Sequence, residues 1–116
     1  MTSAPDPPED LTPEQVAELH RDGAIQLVDV REPYEHEAGY IGGDRHVEFS
    51  RLSERAGSID KEKTVVFYCR SGGRSAVATQ AFRASGYDAR NMAGGLLAWD
   101  RSGLPLEPDG GSVADH

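Results

Sequence analysis

A strand, a cysteine and a helix follow one another here without a linker. This junction narrows the fold more than any other feature of the chain. Thr64-Val65-Val66-Phe67-Tyr68 is a run of β-formers. It leads directly into Cys69-Arg70-Ser71-Gly72-Gly73-Arg74-Ser75. A helical pattern then runs from Ser75 to Ser85, with Val77, Ala78, Ala81 and Phe82 predicted as its apolar stripe and Gly86 as its stop. A strand that passes into a helix this abruptly belongs in an α/β fold.

The rest of the body repeats the alternation. Thr12 is placed to cap a helix, Pro13 suits its first position, and Gln15 falls where a capping box needs it. Val16, Leu19 and His20 continue at helical spacing to Gly23. Ile25 to Val30 reads as a buried strand, Pro33 to Ala38 as a short helix closed by Gly39, and His46 to Phe49 as a weak strand. Ser50 is a candidate cap for a short helix carrying Leu52. Tyr87 to Met92 reads as the last strand, and Gly94-Gly95 turns into a helix holding Leu96, Leu97 and Trp99. Strand–helix alternation predicts a small parallel sheet with helices on both faces. In such sheets the chemistry sits beyond the carboxyl ends of the strands, here just after Asp29 and Tyr68.

At 116 residues the chain has room for one domain. Residues 1–10 are rich in proline and acid and read as a flexible arm. Residues 11–104 form the body, and 105–116 read as a flexible acidic tail. Arm and tail carry six of the eight net negative charges. Net acidity and few aromatics exclude nucleic acid and an anionic membrane as expected partners. No segment approaches the ~20 apolar residues of a membrane span. The N-terminus lacks a basic and an apolar region, and one cysteine forms no internal disulfide or Cys-pair metal site. A reducing cytoplasm is the expected location.

Cys69 carries the chemical expectation. Gly72 and Gly73 let the backbone curl and aim its N–H groups inward. The following helix adds its positive end, and Arg70 and Arg74 add charge. A thiol there is expected to ionise readily and act as a nucleophile. The four histidines, His20, His36, His46 and His116, show no metal-ligand spacing, and no cofactor is expected.

Three stretches, Asp29-Val-Arg-Glu-Pro-Tyr-Glu35, Cys69-Arg-Ser-Gly-Gly-Arg-Ser75 and Gly94-Gly-Leu-Leu-Ala-Trp99, resemble in this order the signatures of single-domain rhodaneses. The resemblance implies a rhodanese-like α/β fold and a sulfurtransferase. Cys69 would then take a sulfur atom from a small anionic donor such as thiosulfate, hold it as a persulfide, and pass it to a thiol or cyanide. A sulfur-relay protein is a further candidate partner. Arg70, Ser71, Gly72, Gly73, Arg74 and Ser75 correspond to the binding loop. Arg31 corresponds to an arginine near the site mouth, and Asp29 to an acid that supports the site. For Gly94, Gly95 and Trp99 the expectation is packing.

Alternatives stand beside this reading: a cysteine phosphatase or arsenate-type reductase on the same fold, or a non-catalytic binding module. Phosphatase loops place five residues between Cys and Arg, whereas four separate Cys69 from Arg74. Where the family often reads Gly-His-Ile-Pro-Gly-Ala, this chain has Gly39-Tyr40-Ile41-Gly42-Gly43-Asp44.

Overall fold

The computed structural model describes residues 9–115. Five strands form one parallel sheet in the order β1-β5-β4-β2-β3. They are β1 (Asp10–Leu11), β2 (Gln26–Asp29), β3 (Arg45–His46), β4 (Val65–Tyr68) and β5 (Ala89–Met92). The helices are α1 (Pro13–Arg21), α2 (Pro33–Ala38), α3 (Leu52–Arg55), α4 (Gly73–Ala84) and α5 (Gly95–Arg101). A 3-10 turn lies on each side of α3.

Strand alternation divides the core between the two sheet faces. Val28, Val30, Phe67 and Cys69 face one way and pack with Leu52, Ala78 and Phe82 of α3 and α4. Leu27, Val66 and Tyr68 face the other and pack with Val16, Leu96 and Trp99 of α1 and α5. Cys69 and Tyr68 therefore lie on opposite sides of the sheet. Fully burying a side chain of this size contributes about 1.5–3 kcal/mol, so the sheet is held firmly from both faces.

Local sequence signals decide several ends. Gln15 N–H donates to the Thr12 hydroxyl, and Thr12 N–H donates to Gln15 Oε1, completing the capping box that starts α1. Pro33 starts α2, and Gly39 follows its end.

The stripe on α4 differs from expectation. Its buried residues are Ser75, Ala78, Thr79 and Phe82, while Val77 and Ala81 are exposed. The helix begins at Gly73, and its inward face includes two hydroxyls that find partners. Thr79 Oγ1 donates to Ser75 O at 2.8 Å, and Ser75 bonds Asn91. Val77 and Ala81 instead line an open groove of about 380 Å³ with Phe49, Leu52, Phe82 and Tyr87.

Both ends of the chain depart from the flexible reading where they are described. Asp10 and Leu11 pair with Asn91 and Met92 at the sheet edge; residues 1–8 lie outside the described part. After Leu104 the chain packs on the body. Trp99 Nε1 donates to Pro105 O, Tyr40 and Glu107 exchange backbone hydrogen bonds, and Ser112 N–H donates to Ala38 O. Leu106 and Val113 lie against the α1/α5 core. Short apolar residues between acids were enough to dock this segment. Among the described residues, no helix is long and apolar enough to cross a membrane.

Candidate active site

The loop after β4 closes around the sulfur of Cys69. Gly72 has φ 108°, a left-handed conformation that side chains resist, and this turns its N–H back to Cys69 Sγ at 3.1 Å. Ser75, in the first turn of α4, brings its N–H to 3.5 Å and its Oγ to 3.4 Å of the same atom. Cys69 is only 1% exposed. Burial pushes the thiol up. Hydrogen bonding from Ser75 and from the amides of Gly72 and Ser71 more than reverses this, and the thiol ionises below its ordinary value.

Helix α5 holds the loop from behind. Leu96 N–H donates to Cys69 O at 2.8 Å and Leu97 N–H to Arg70 O at 3.0 Å. A Cβ on Gly95 would lie 2.5 Å from Cys69 O and 2.6 Å from Arg70 O. Glycine is what allows this approach. With the loop carbonyls turned outward onto α5, its N–H groups face the sulfur.

The flanking arginines are engaged elsewhere. Arg74 grips buried Glu35 with both guanidinium nitrogens, at 2.9 and 3.1 Å. Arg70 donates through Nε to Ala114 O at 3.0 Å and meets Asp115 at 3.4 Å. Ser71 is exposed, and a Cβ on Gly73 would meet nothing within 4 Å. Positive potential at the sulfur thus comes chiefly from oriented amides and the start of α4.

Arg31 is not at a mouth: it is fully buried. Its Nε and Nη2 donate to the two oxygens of Asp29 at 2.9 and 2.7 Å, and Nη2 also donates to Gly39 O. Asp29 Oδ2 lies 2.8 Å from His36 Nδ1. His36 stacks on Tyr40 and His46, and His46 Nε2 lies 2.7 Å from Arg31 O. Asp29, His36 and His46 thus come together although their sequence spacing did not suggest it. Their ligand atoms are already hydrogen-bonded, and the Arg31 cation sits among them. In this structure they form an internal polar network.

Asp44, one of the departures from the family pattern, belongs to that network. Tyr68 Oη donates to its carboxylate at 2.5 Å, and His36 stands 3.8 Å away. Burial is the main cause that pushes its carboxyl up to about 6 from 3.8. The folded state therefore holds this proton more tightly than the unfolded chain does. Stability is expected to rise as pH falls from about 7 through 6 toward 4, by on the order of 2 kcal/mol. Asp29 shifts the opposite way, and its stabilisation is lost only below the ordinary carboxylate range. Urea midpoints across pH 4.5–7.5 should show the rise in the native protein and little of it in Asp44→Asn.

Glu35, Asp44 and Asn91 make contacts that sequence reading did not assign, whereas Ser75, expected in the binding loop, reaches the sulfur. Glu35 closes the first signature stretch, and its charge was the available signal for an Arg74 partner. Nothing local marks Asn91.

A parallel sheet with a cysteine held in a cradle of amides at a strand end defines a class of small cysteine-centred α/β proteins. Within it, the chain belongs to the rhodanese-like family, whose domain model matches residues 12–102. It is 32% identical over 104 residues to thiosulfate sulfurtransferase GlpE of Pseudomonas aeruginosa, covering 89% of this chain and 93% of that protein. Among solved structures it resembles a rhodanese-related protein of Thermoplasma volcanium, with TM-score 0.79 and 26% identity over 84% of this chain and 96% of that one. It also resembles a Rhodopseudomonas palustris protein described as a possible tyrosine phosphatase, with TM-score 0.74 and 31% identity over 85% of this chain and 84% of that one. Two longer relatives, from Synechocystis and Bacillus subtilis, are 38% and 41% identical, and the chain spans 54% and 60% of their lengths.

Proposed function

We propose that the chain is a rhodanese-type sulfurtransferase working by ping-pong through Cys69. The carrying observation is the sulfur at the strand end, received by the amides of Gly72 and Ser75. The thiolate attacks the outer sulfur of a donor such as thiosulfate. A new S–S bond forms as the old one breaks, and sulfite leaves with the electron pair. The terminal persulfide anion rests in the amide cradle, which offsets its charge. An acceptor thiolate or cyanide attacks the outer sulfur next. The product is a new persulfide or thiocyanate, and the Cys69 thiolate returns. Cys69 is the sole cysteine of the chain, so the accepting thiol is external, either a small molecule or a sulfur-relay protein. The reducing cytoplasm suits a free thiol and is the proposed location.

Phosphate ester hydrolysis fits less well. A phosphatase loop needs its arginine on the phosphoryl oxygens, whereas Arg74 is bound bidentate to Glu35. The deciding experiment incubates the protein with thiosulfate, weighs it intact, then adds cyanide. One added sulfur on Cys69 and release of thiocyanate are expected. Absence of both, with turnover of an aryl phosphate, would replace this function with the phosphatase one. Absence of all three would leave a binding module.

A further inference from the structure

The Ser75 hydroxyl has one proton and three acceptors around it. Asn91 Oδ1 is 2.6 Å away, Gly72 O 3.2 Å and Cys69 Sγ 3.4 Å. We infer that Asn91 is a positioning residue that draws the Ser75 proton away from the Cys69 sulfur. The contact at 2.6 Å is the strongest of the three, so it takes the proton. Asn91 has its own orientation fixed. Its Nδ2 donates to Asp10 Oδ1 at 3.1 Å, and its backbone N–H donates to Glu9 O at 2.8 Å. A flipped amide would set two oxygens against each other at Asp10. The edge strand β1 thus turns the Asn91 carbonyl toward Ser75, across a site where Ser75 is fully buried and Asn91 is 6% exposed.

The consequence falls on the nucleophile. With its proton on Asn91, Ser75 Oγ presents a lone pair to the sulfur and can accept from the S–H of the thiol. The thiolate is then held by backbone amides, those of Gly72, Ser75 and Ser71. Removing Asn91 releases the hydroxyl to donate to the thiolate. This adds a donor to the charged form and lowers the pKa of the thiol. A thiolate made less basic in this way also attacks more slowly once fully ionised. Asn91 therefore keeps the sulfur basic enough to be a strong nucleophile inside a cradle that would otherwise over-stabilise it.

This inference concerns the same sulfur as the proposed function and rests on its thiolate being the nucleophile. Its test is the pH dependence of Cys69 alkylation by iodoacetamide, which reads the thiol whether or not sulfur transfer occurs. Asn91→Leu, similar in volume and without the acceptor, is expected to lower the apparent pKa by about one unit. Its limiting rate at high pH should fall about threefold. Ser75→Ala is expected to move the pKa far less, and the double variant should match Ser75→Ala. If Asn91→Leu does not fold, Asp10→Ala at the exposed edge frees the amide to turn and should shift the pKa downward too. The effect of lost charge is subtracted by repeating it in the Ser75→Ala background. An unchanged or raised pKa in the Asn91 or Asp10 variant overturns the inference, as does a large upward shift in Ser75→Ala. Failure of native protein to form a sulfur adduct, with these shifts intact, would overturn the transfer function alone.

Discussion

Cys69→Ser is expected to lose sulfur transfer completely, a fall of about 10⁴-fold or more. The cradle survives the change, because the Gly72 and Ser75 amides point at the side-chain position whatever atom occupies it. What goes is the nucleophile. A serine hydroxyl does not ionise near neutral pH and has no sulfur to bond the transferred atom. The fold should be almost untouched, since the replaced atom is similar in size and finds the same donors. Thiocyanate release, intact mass after thiosulfate and the urea midpoint check this together. Residual transfer in the variant would mean that another group carries the sulfur. A collapsed midpoint would mean that Cys69 matters to packing.

Asp29→Ala is expected to cost about 3–5 kcal/mol, a large share of the ~5–15 kcal/mol that holds a domain together. Asp29 and Arg31 are both fully buried, and the Arg31 backbone N–H also donates to Asp29 Oδ1 at 3.0 Å. Removing the carboxylate leaves a guanidinium sealed in the protein with Gly39 O still bonded to it. Burial alone would push the Asp29 carboxyl up. Hydrogen bonds from His36 and Arg31, with the Arg31 charge, outweigh this and hold it below its ordinary value. Its contribution is therefore present above the ordinary carboxylate range and lost as pH falls through the lowered value. The double variant Asp29→Leu, Arg31→Met removes both charges and should recover most of the loss in urea unfolding. Recovery of stability with transfer intact would assign the pair to architecture. Recovery of stability without transfer would assign it to the reaction.

The sequence reads well wherever the deciding contacts are local. Thr12, Pro13 and Gln15 define the start of α1 among themselves. Pro33 and Gly39 bound α2. The glycines after Cys69 state a curl of backbone that sits a few residues from its target. The misses share a different cause. Glu35 and Arg74 are 39 positions apart, and Arg70 and Ala114 are 44. Only the folded topology brings them together. The edge strand Asp10–Leu11 is too short for any periodicity to announce. Val77 reads as inward only because it is apolar. The rotation of α4 is set by where its first turn leaves the loop, and it turns Ser75 and Thr79 in instead. Asp44 likewise sits in an unfamiliar turn whose importance lies in reaching Tyr68, the residue before the cysteine.

The grip of α5 on the loop carbonyls bears on the order in which the site is built. A ribosome-bound chain that has emerged only as far as α4 already contains Cys69 and its whole loop. It still lacks Leu96 and Leu97, which take up the carbonyls of Cys69 and Arg70. Until that last helix docks, those two carbonyls lack the partners that hold the loop in place. The loop that aims its amides at Cys69 is thus completed by the last helix to emerge, so the cradle is assembled late, from segments far apart in order of synthesis.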